Sequence, residues 1–163
     1  MKIAIYPGTF DPITYGHLDI IERASRLFDQ IIITVANNPS KKPLFSAKDR
    51  VSLIKQSISD INDGASIKVE TFEGLIVDFA RKKKASCIIR GLRAISDFEY
   101  ELQMALVNRR LEAEISTVFL MPHENYTYLN STIVKEVASF GGNISNFVPP
   151  FVEKMLKKKN TKK

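Results

Sequence analysis

The sequence predicts a doubly wound, Rossmann-like α/β domain, in which a five-stranded parallel sheet carries helices on both faces. Short apolar runs alternate along the chain with segments whose apolar residues recur at helical spacing. The apolar runs are continuous, which is typical of parallel strands that are buried on both faces. The polar stretches that follow such strands should therefore meet at the carboxyl edge of the sheet, where these folds bind ligands.

Five segments predict the strands, of which the third is a candidate. They span residues 3–6, 31–36, 67–70, 86–89 and 116–121. The polar loops expected at the ligand-binding edge cover residues 7–15, 37–45, 71–74, 90–96 and 122–130.

Helical spacing predicts the intervening helices. The expected bounds are 16–28, 74–84, 131–140 and 148–159, with one more helix after residue 46 and a long one that ends near residue 113. In segment 74–84 the residues expected to face inward are Leu75, Ile76, Phe79 and Ala80.

Local signals predict where several helices begin and end. Ser46 with Asp49, and Ser96 with Glu99, have the spacing of capping boxes. A Gly-Gly pair at 141–142 should end one helix, and the Pro-Pro pair at 149–150 should begin the last.

Composition indicates one globular domain, over residues 1–158. The chain has 163 residues, of which 44% are hydrophobic and 26% charged. No apolar run approaches the roughly 20 residues that span a bilayer, and no signal-peptide stretch precedes the first strand. Cys87 lies in an apolar run, which predicts a buried and unreactive thiol. We therefore expect a cytoplasmic protein without a membrane partner.

The net charge of +6 comes from one end of the chain. Residues 154–163 include six lysines and no acidic residue, and the remainder of the chain has 18 basic and 18 acidic side chains. We expect residues 159–163 to form a basic, frayed tail in solvent. Because the body is formally neutral and shows no aromatic stacking surface, the charge does not favour a nucleic-acid partner.

The segment 8–17 has the pattern of an anion site between the first strand and the first helix. Gly8 and Gly16 lack a Cβ, so backbone amides could approach a phosphate closely. His17 lies on the first helical turn, where unpaired N–H groups and the helix dipole also favour an anion. Thr9 and Thr14 add hydroxyl groups. The plainer interpretation is a tight turn with a surface histidine, but the clustered donors favour a phosphate site.

Three more segments follow predicted strands. Arg90 and Arg93, separated by Gly91-Leu92, could together clamp phosphates. Glu101, in the helix beyond, could accept hydrogen bonds from a ribose or pair with one of these arginines. Segment 40–43 offers lysines to a phosphate, and segment 126–132 offers hydroxyls and helix-cap amides.

These residues together give the sequence a strong resemblance to the phosphopantetheine adenylyltransferase family of the nucleotidyltransferase superfamily. The matching segments are YPGTFDPIT at 6–14 with Gly16-His17, PSKKP at 39–43, IRGLR at 89–93, DFEYE at 97–101 and VFLMP at 118–122. The resemblance implies transfer of the adenylyl group of ATP to 4′-phosphopantetheine in coenzyme A biosynthesis, with Mg²⁺ bound at the ATP phosphates and a homohexameric assembly.

The resemblance also implies residue roles. His17 would be the catalytic residue, and the acceptor would contact Thr9, Lys41, Ile76 and Arg90. ATP would contact Thr9, Phe10, His17, Gly91, Leu92, Arg93, Glu101, Tyr126, Thr127, Tyr128, Leu129, Asn130, Ser131 and Thr132. No protein metal ligand is implied. Asn130 departs from the family, in which serine is usual at this position.

The chemistry fits these residue types without a general base. A phosphate acceptor is already ionised near neutral pH, so the catalyst must align two polyanions and stabilise charge on the α-phosphate. Donors and cations suffice for this, which makes His17 a transition-state donor rather than a base.

Three other functions stay open at this point. The first is a related superfamily enzyme that uses nicotinamide mononucleotide or CTP. The second is a nucleic-acid-binding module that uses the basic tail, and the third is a nucleotide-binding regulator without catalysis.

Overall fold

The computed structural model describes residues 1–37, 42–61 and 64–161, except for the side chains of Ile95 and Ser96. The elements are β1 (Ile3–Gly8), α1 (Tyr15–Ser25), β2 (Gln30–Ala36), α2 (Ala47–Ser57), β3 (Ser66–Phe72), α3 (Ile76–Lys82), β4 (Cys87–Gly91), α4 (Ile95–Leu111), β5 (Ser116–Leu120), α5 (Ser131–Ser139) and α6 (Pro150–Asn160).

The five strands form one parallel sheet in the order β3-β2-β1-β4-β5. The chain runs outward from β1 to β3, returns to the other side of β1, and continues to β5. This confirms the predicted doubly wound fold. The direction of winding reverses between β1 and β4, which is the place where open α/β sheets bind ligands.

Two apolar clusters cover the two faces of the sheet. One face buries Ala4 and Tyr6 of β1 with residues of α1, α2, α5 and α6. The other face buries Ile5 with Val77 and Ala80 of α3. Because side chains along β1 alternate between these clusters, the strand is covered on both sides, as its continuous apolar run predicts.

The first two helices are capped by side chains. In α2 the Ser46 hydroxyl accepts a hydrogen bond from the Asp49 N–H at 3.1 Å, which confirms the predicted capping box. Helix α1 begins one residue before the predicted start and ends at Ser25 rather than at residue 28.

The predicted capping box of Ser96 and Glu99 is wrong. Helix α4 begins at Ile95, its N-cap is Ala94, and no side chain caps it. The helix begins one residue before Ser96, so Ser96 lies inside its first turn and is not the N-cap.

The predicted inward face of the third helix needs one correction. Leu75 precedes α3 and is 57% exposed, whereas Val77 is buried. Gly74 has a positive φ of 92°, and this turn places the helix start later than the apolar pattern indicates.

The ends of α5 and α6 follow the sequence signals. Gly141 adopts a positive φ of 74° just after α5, and Pro150 is the first residue of α6. Helix α6 continues through Asn160, and residues 162 and 163 of the expected tail lie outside the described residues. No helix in the described part of the chain has the length and apolarity needed to cross a membrane.

Candidate active site

A cavity of about 760 Å³ lies at the carboxyl ends of β1 and β4. Its walls come from the turn after β1, the first turn of α1, the loop between β4 and α4, and the start of α5. The predicted site residues that line it are Thr9, Phe10, His17, Arg90, Gly91, Arg93, Glu101, Tyr126, Leu129, Asn130, Ser131 and Thr132.

A second, smaller cavity of about 250 Å³ adjoins the first. The two share Thr9, Arg90 and Glu101 in their walls. Ile76 lines only the second cavity, together with the apolar side chains of Phe72 and Met104. The predicted acceptor residues Thr9, Ile76 and Arg90 therefore meet at this smaller cavity.

Four predicted residues are not placed at either cavity. Lys41 lies outside the described residues. Leu92 donates its backbone N–H to the Leu120 carbonyl at 3.0 Å and extends the pairing of β4 with β5. The Thr127 hydroxyl donates to the Glu124 carbonyl at 2.9 Å, and Tyr128 is 61% exposed. None of the last three lines a cavity.

The start of α1 fixes the tautomer of His17. Thr14 is the N-cap of the helix, and its backbone N–H donates to Nδ1 of His17 at 3.0 Å. A ring nitrogen that accepts a hydrogen bond carries no proton, so the proton of the neutral imidazole is on Nε2. His17 lines the large cavity, and Nε2 is the ring nitrogen left to donate to a ligand there.

The imidazole of His17 is neutral at physiological pH. Its pKa is lowered from 6.5 to about 4, chiefly because burial disfavours the charged ring and further because the Arg93 guanidinium repels a second positive charge. His17 is therefore a neutral hydrogen-bond donor at pH 7, and its unprotonated nitrogen is already occupied by the backbone.

The turn after β1 is packed tightly beneath His17. Phe10 is 2% exposed, and its ring centroid lies 5.0 Å from that of His17 and 5.4 Å from that of Tyr6. A Cβ on Gly8 would lie only 2.8 Å from the Phe10 ring. Gly8 is therefore needed for this packing as well as for access to the backbone.

Arg90 and Glu101 form a bidentate ion pair where the two cavities meet. The Arg90 Nε and Nη2 atoms donate to the two carboxylate oxygens at 2.7 and 2.5 Å, and Nη1 donates to the Pro7 carbonyl at 3.1 Å. Burial alone would lower the pKa of Arg90, but the hydrogen bonds and charge of Glu101 raise it. The guanidinium is thus a permanent cation beside the β1 turn.

Arg93 links two walls of the large cavity. Its Nε donates to the Asp97 carboxylate at 3.2 Å, and its Nη1 donates to the Leu129 carbonyl at 3.2 Å. The loop after β4 is thereby tied to the segment that enters α5. The cavity thus contains two arginines and a neutral imidazole donor, which suits a polyphosphate ligand.

Comparison with known proteins identifies the family. The family described as cytidylyltransferase-like matches residues 5–137. The chain is 54% identical to phosphopantetheine adenylyltransferase of Alkaliphilus metalliredigens, over 98% of this chain and 100% of the relative. It is 55% identical to the enzyme of the same name from Desulfosudis oleivorans, over 98% and 93% of the two chains.

The chain belongs to the phosphopantetheine adenylyltransferase family.

Solved structures with the same fold include other adenylyltransferases. Nicotinic acid mononucleotide adenylyltransferase of Plasmodium falciparum, complexed with NaAD, superposes with a TM-score of 0.74 at 17% identity, over 98% of this chain and 96% of that one. A bifunctional NMN adenylyltransferase/ADP ribose pyrophosphatase of Francisella tularensis gives a TM-score of 0.69 at 19% identity, over 96% of this chain and 48% of that one. At these identities the likeness concerns the fold.

Asn130 is the residue at which this phosphopantetheine adenylyltransferase family member departs from the expected serine. Its side-chain oxygen accepts a hydrogen bond from the Ile133 N–H at 2.8 Å, so Asn130 is the N-cap of α5. Asparagine caps helices as well as serine does. The start of α5 is therefore preserved, and its first amides remain available for an anion in the large cavity.

Two charged residues of the site were missed by the sequence analysis. Asp11 is only 3% exposed and accepts hydrogen bonds from the Leu44 and Phe45 amides at 2.9 and 2.8 Å. Lys135 pairs with Asp11 at 2.7 Å, and both line the large cavity. The spacing of Lys135, one helical turn after Ser131 at the start of α5, could have indicated its position.

Proposed function

We propose that this chain transfers the adenylyl group of ATP to 4′-phosphopantetheine, giving dephospho-coenzyme A and pyrophosphate. The observation that carries this proposal is the pair of joined cavities, which share Thr9 and Arg90. The larger has the volume and the hydrogen-bond donors for a nucleoside triphosphate. The smaller is lined in part by apolar side chains, which suits the pantetheine arm.

The proposed acceptor site is the smaller cavity and the wall that it shares with the larger one. Ile76, Phe72 and Met104 give the apolar wall against which the arm would lie. Arg90, which lines both cavities, would bind the phosphate that ends the arm. Lys41, outside the described residues, would bind the same phosphate. Arg90 has five N–H donors, of which its recorded bonds use three, so it can receive a phosphate without releasing Glu101 entirely.

The proposed ATP site is the larger cavity. Its triphosphate would lie over the β1 turn and the start of α5, near Phe10, Gly91, Arg93 and the segment 129–132. Glu101 would accept hydrogen bonds from the ribose. Because Arg90 holds both carboxylate oxygens at the edge of the shared space, Glu101 is oriented before ATP arrives.

In the proposed reaction a phosphate oxygen of the acceptor attacks the α-phosphorus of ATP. The new P–O bond forms as the bond from the α-phosphorus to the bridging oxygen breaks, and pyrophosphate leaves with that electron pair. The Nε2–H of His17 donates to an α-phosphate oxygen as charge develops, and Thr9 donates beside it. No protein base is needed, which agrees with a His17 whose other nitrogen is bound to Thr14.

Magnesium would enter this site bound to the ATP phosphates, where it would neutralise phosphate charge. The described residues contain no cluster of three or more histidine, cysteine, aspartate or glutamate side chains suited to a metal ion. The carboxylates of the large cavity, Asp11, Asp97 and Glu101, are each paired with a cationic side chain. The donor set thus fits Mg²⁺ held by phosphate oxygens and water, a common mode for this ion.

We also propose a homohexamer in the cytoplasm. Helix α4 supports assembly because it buries polar side chains and exposes apolar ones. Glu101 and Asn108 are 8% exposed, whereas Leu106, Val107 and Leu111 are 51–54% exposed. An exposed apolar helix face of this kind is typical of a subunit contact.

Release of pyrophosphate tests the proposed function. The protein is incubated with ATP and Mg²⁺ and with 4′-phosphopantetheine, pantetheine or nicotinamide mononucleotide as acceptor. We expect turnover only with 4′-phosphopantetheine, because pantetheine lacks the attacking phosphate. Equal turnover with nicotinamide mononucleotide, or none with any acceptor, would contradict the proposal.

A further inference from the structure

Arg50 is a buried cation that the proposed reaction does not use. It lies in the first turns of α2, is 1% exposed, and is among the largest fully buried side chains. It forms no ion pair within the described part of the chain, and burial lowers its pKa although the charge of Asp11 opposes this. A charge is costly to bury, and hydrogen bonds to the guanidinium must offset that cost. The partners of those hydrogen bonds therefore indicate what Arg50 holds in place.

The guanidinium of Arg50 binds three backbone carbonyls from three separate segments. Its Nη1 donates to the Thr9 carbonyl at 2.7 Å and to the Ala36 carbonyl at 2.9 Å, and its Nε donates to the Phe45 carbonyl at 3.2 Å. A planar group with donors in fixed directions can hold three carbonyls at set positions, which a lysine ammonium cannot reproduce.

Two of these carbonyls belong to residues that flank, in the sequence, the loop expected to hold the acceptor phosphate. Ala36 ends β2 immediately before that loop, and Phe45 follows it just before α2. Thr9 lies in the walls of both cavities. Arg50 therefore ties Ala36 and Phe45, which precede and follow Lys41 in the sequence, to the turn beside His17.

A second buried group binds the same part of the chain. The Asp11 carboxylate accepts hydrogen bonds from the Leu44 and Phe45 amides. Phe45 is thus fixed by its amide through Asp11 and by its carbonyl through Arg50, and its side chain is fully buried. The downstream end of the loop has little freedom to move relative to the β1 turn while both contacts persist.

We propose that Arg50 is a positioning residue for the acceptor, which holds Ala36 and Phe45, on either side of Lys41 in the sequence, in fixed positions relative to Thr9 and His17. This inference rests on the proposed function. Arg50 lines neither cavity, so it acts through the backbone rather than by touching a substrate. Its loss should impair acceptor binding and the alignment of the attacking phosphate, and should leave the affinity for ATP in place.

The test compares Arg50→Lys with wild type and with Arg81→Lys. Arg81 is an exposed arginine on α3 that pairs with Asp78 and Glu112, away from both cavities. We expect Arg50→Lys to lower kcat/KM for 4′-phosphopantetheine roughly 10- to 100-fold, the scale of a misaligned reactant. The Kd of ATP, measured by calorimetry, should stay within about twofold of wild type, and Arg81→Lys should match wild type in both.

Hydrogen exchange adds a readout at the loop itself. In Arg50→Lys the amides of Leu44 and Phe45 should exchange faster than in wild type, while those of α1 should not change. Should Arg50→Lys fail to fold, Arg50→Gln is substituted with the same expectations, because a neutral amide avoids the cost of burying a poorly bonded charge.

Two results would overturn the inference while leaving the proposed function intact. One is an active wild type whose Arg50 variants keep the acceptor kinetics. The other is an equal loss of ATP and acceptor affinity, which would show that Arg50 supports the fold in general. A wild type without activity toward 4′-phosphopantetheine contradicts the proposed function itself.

Discussion

At the scale of single residues, the most informative feature is the protonation state of His17. The sequence places this histidine at a helix start, where an imidazole could be a donor, an acceptor or a cation. The hydrogen bond from the Thr14 amide to Nδ1 and the pKa of about 4 leave one state, a neutral ring protonated at Nε2. Such a donor stabilises charge that develops during reaction without binding the ground state as strongly as a cation would.

This state predicts an unusual titration in NMR spectra. The imidazole signals of His17 should titrate with a midpoint near 4 rather than 6.5, and ¹⁵N shifts at pH 7 should place the proton on Nε2. Because the folded pKa lies below that of an unfolded chain, the contribution of His17 to stability should be complete above pH 6.5 and decline as the pH falls towards 4.

The assignment of these signals is controlled by a His123→Gln variant, since the chain contains two histidines. An Arg93→Gln variant should raise the midpoint only modestly, because burial is the larger cause of the shift. A midpoint close to 6.5 in wild type, or a proton on Nδ1 at pH 7, would contradict the proposed role of His17 as a neutral Nε2 donor.

At the scale of elements, the start of α1 joins a structural role to a chemical one. Thr14 and His17 form a reciprocal capping box, so the side chain proposed for catalysis also stabilises the helix. The helix therefore holds the imidazole in place, and the imidazole satisfies an amide at the helix start. Substitutions can separate these two roles.

His17→Gln and His17→Ala should agree in activity and differ in stability. Glutamine can still accept the Thr14 N–H bond in a capping box, but it does not place an N–H where Nε2 lies. Both variants should lose about 3–4 kcal/mol of transition-state stabilisation, or roughly 10²- to 10³-fold in kcat. Only His17→Ala should also lose about 1 kcal/mol of unfolding free energy.

Pyrophosphate release and denaturant unfolding measure the two effects, with ATP affinity as the control for an intact nucleotide site. The affinity for ATP should survive in both variants, because the other donors of the large cavity are unchanged. Near-normal turnover of His17→Gln would refute the assignment of the catalytic donor.

The same capping box shows what the sequence could reveal about elements and what it could not. Strands and helix order were predictable, because apolar runs, as in the buried strands β1 and β2, and helical spacing are direct consequences of burial. The Ser46 cap was predicted because Asp49, an acidic residue three positions later, completes the usual pattern of a capping box. The Thr14 cap was missed because its partner is a histidine, and Ser96 was misplaced because α4 begins without a side-chain cap.

The candidate site also has features that the sequence predicts and others that it does not. The loops after the strands were predicted to meet at one edge, and twelve of the predicted residues line the large cavity there. Arg50 was missed because a charged residue in a helix ordinarily lies in solvent. Its burial depends on three carbonyls, and those of Thr9 and Ala36 are 41 and 14 residues away in the sequence, beyond the reach of any local pattern.

At the scale of the whole molecule, the exposed apolar side chains of α4 are not explained by packing within a single chain. Across residues 97–111 the polar Glu101 and Asn108 face the sheet, where they line the smaller cavity. The exposed side carries Leu106, Val107 and Leu111. The polar residues face inward because the site requires them, so the apolar residues must be covered by another subunit if they are to leave water.

Light scattering on the intact protein tests the proposed assembly. Wild type should have six times the chain mass of 18.4 kDa, whereas Leu106→Glu should form smaller species, because a charge buried at an apolar contact lacks a partner. Leu27→Glu is the matched control: Leu27 is also 54% exposed but lies outside α4, so this variant should retain the wild-type mass. A monomeric wild type would contradict the assembly itself, and a Leu106→Glu variant of unchanged mass would exclude this face of α4 from the subunit contact.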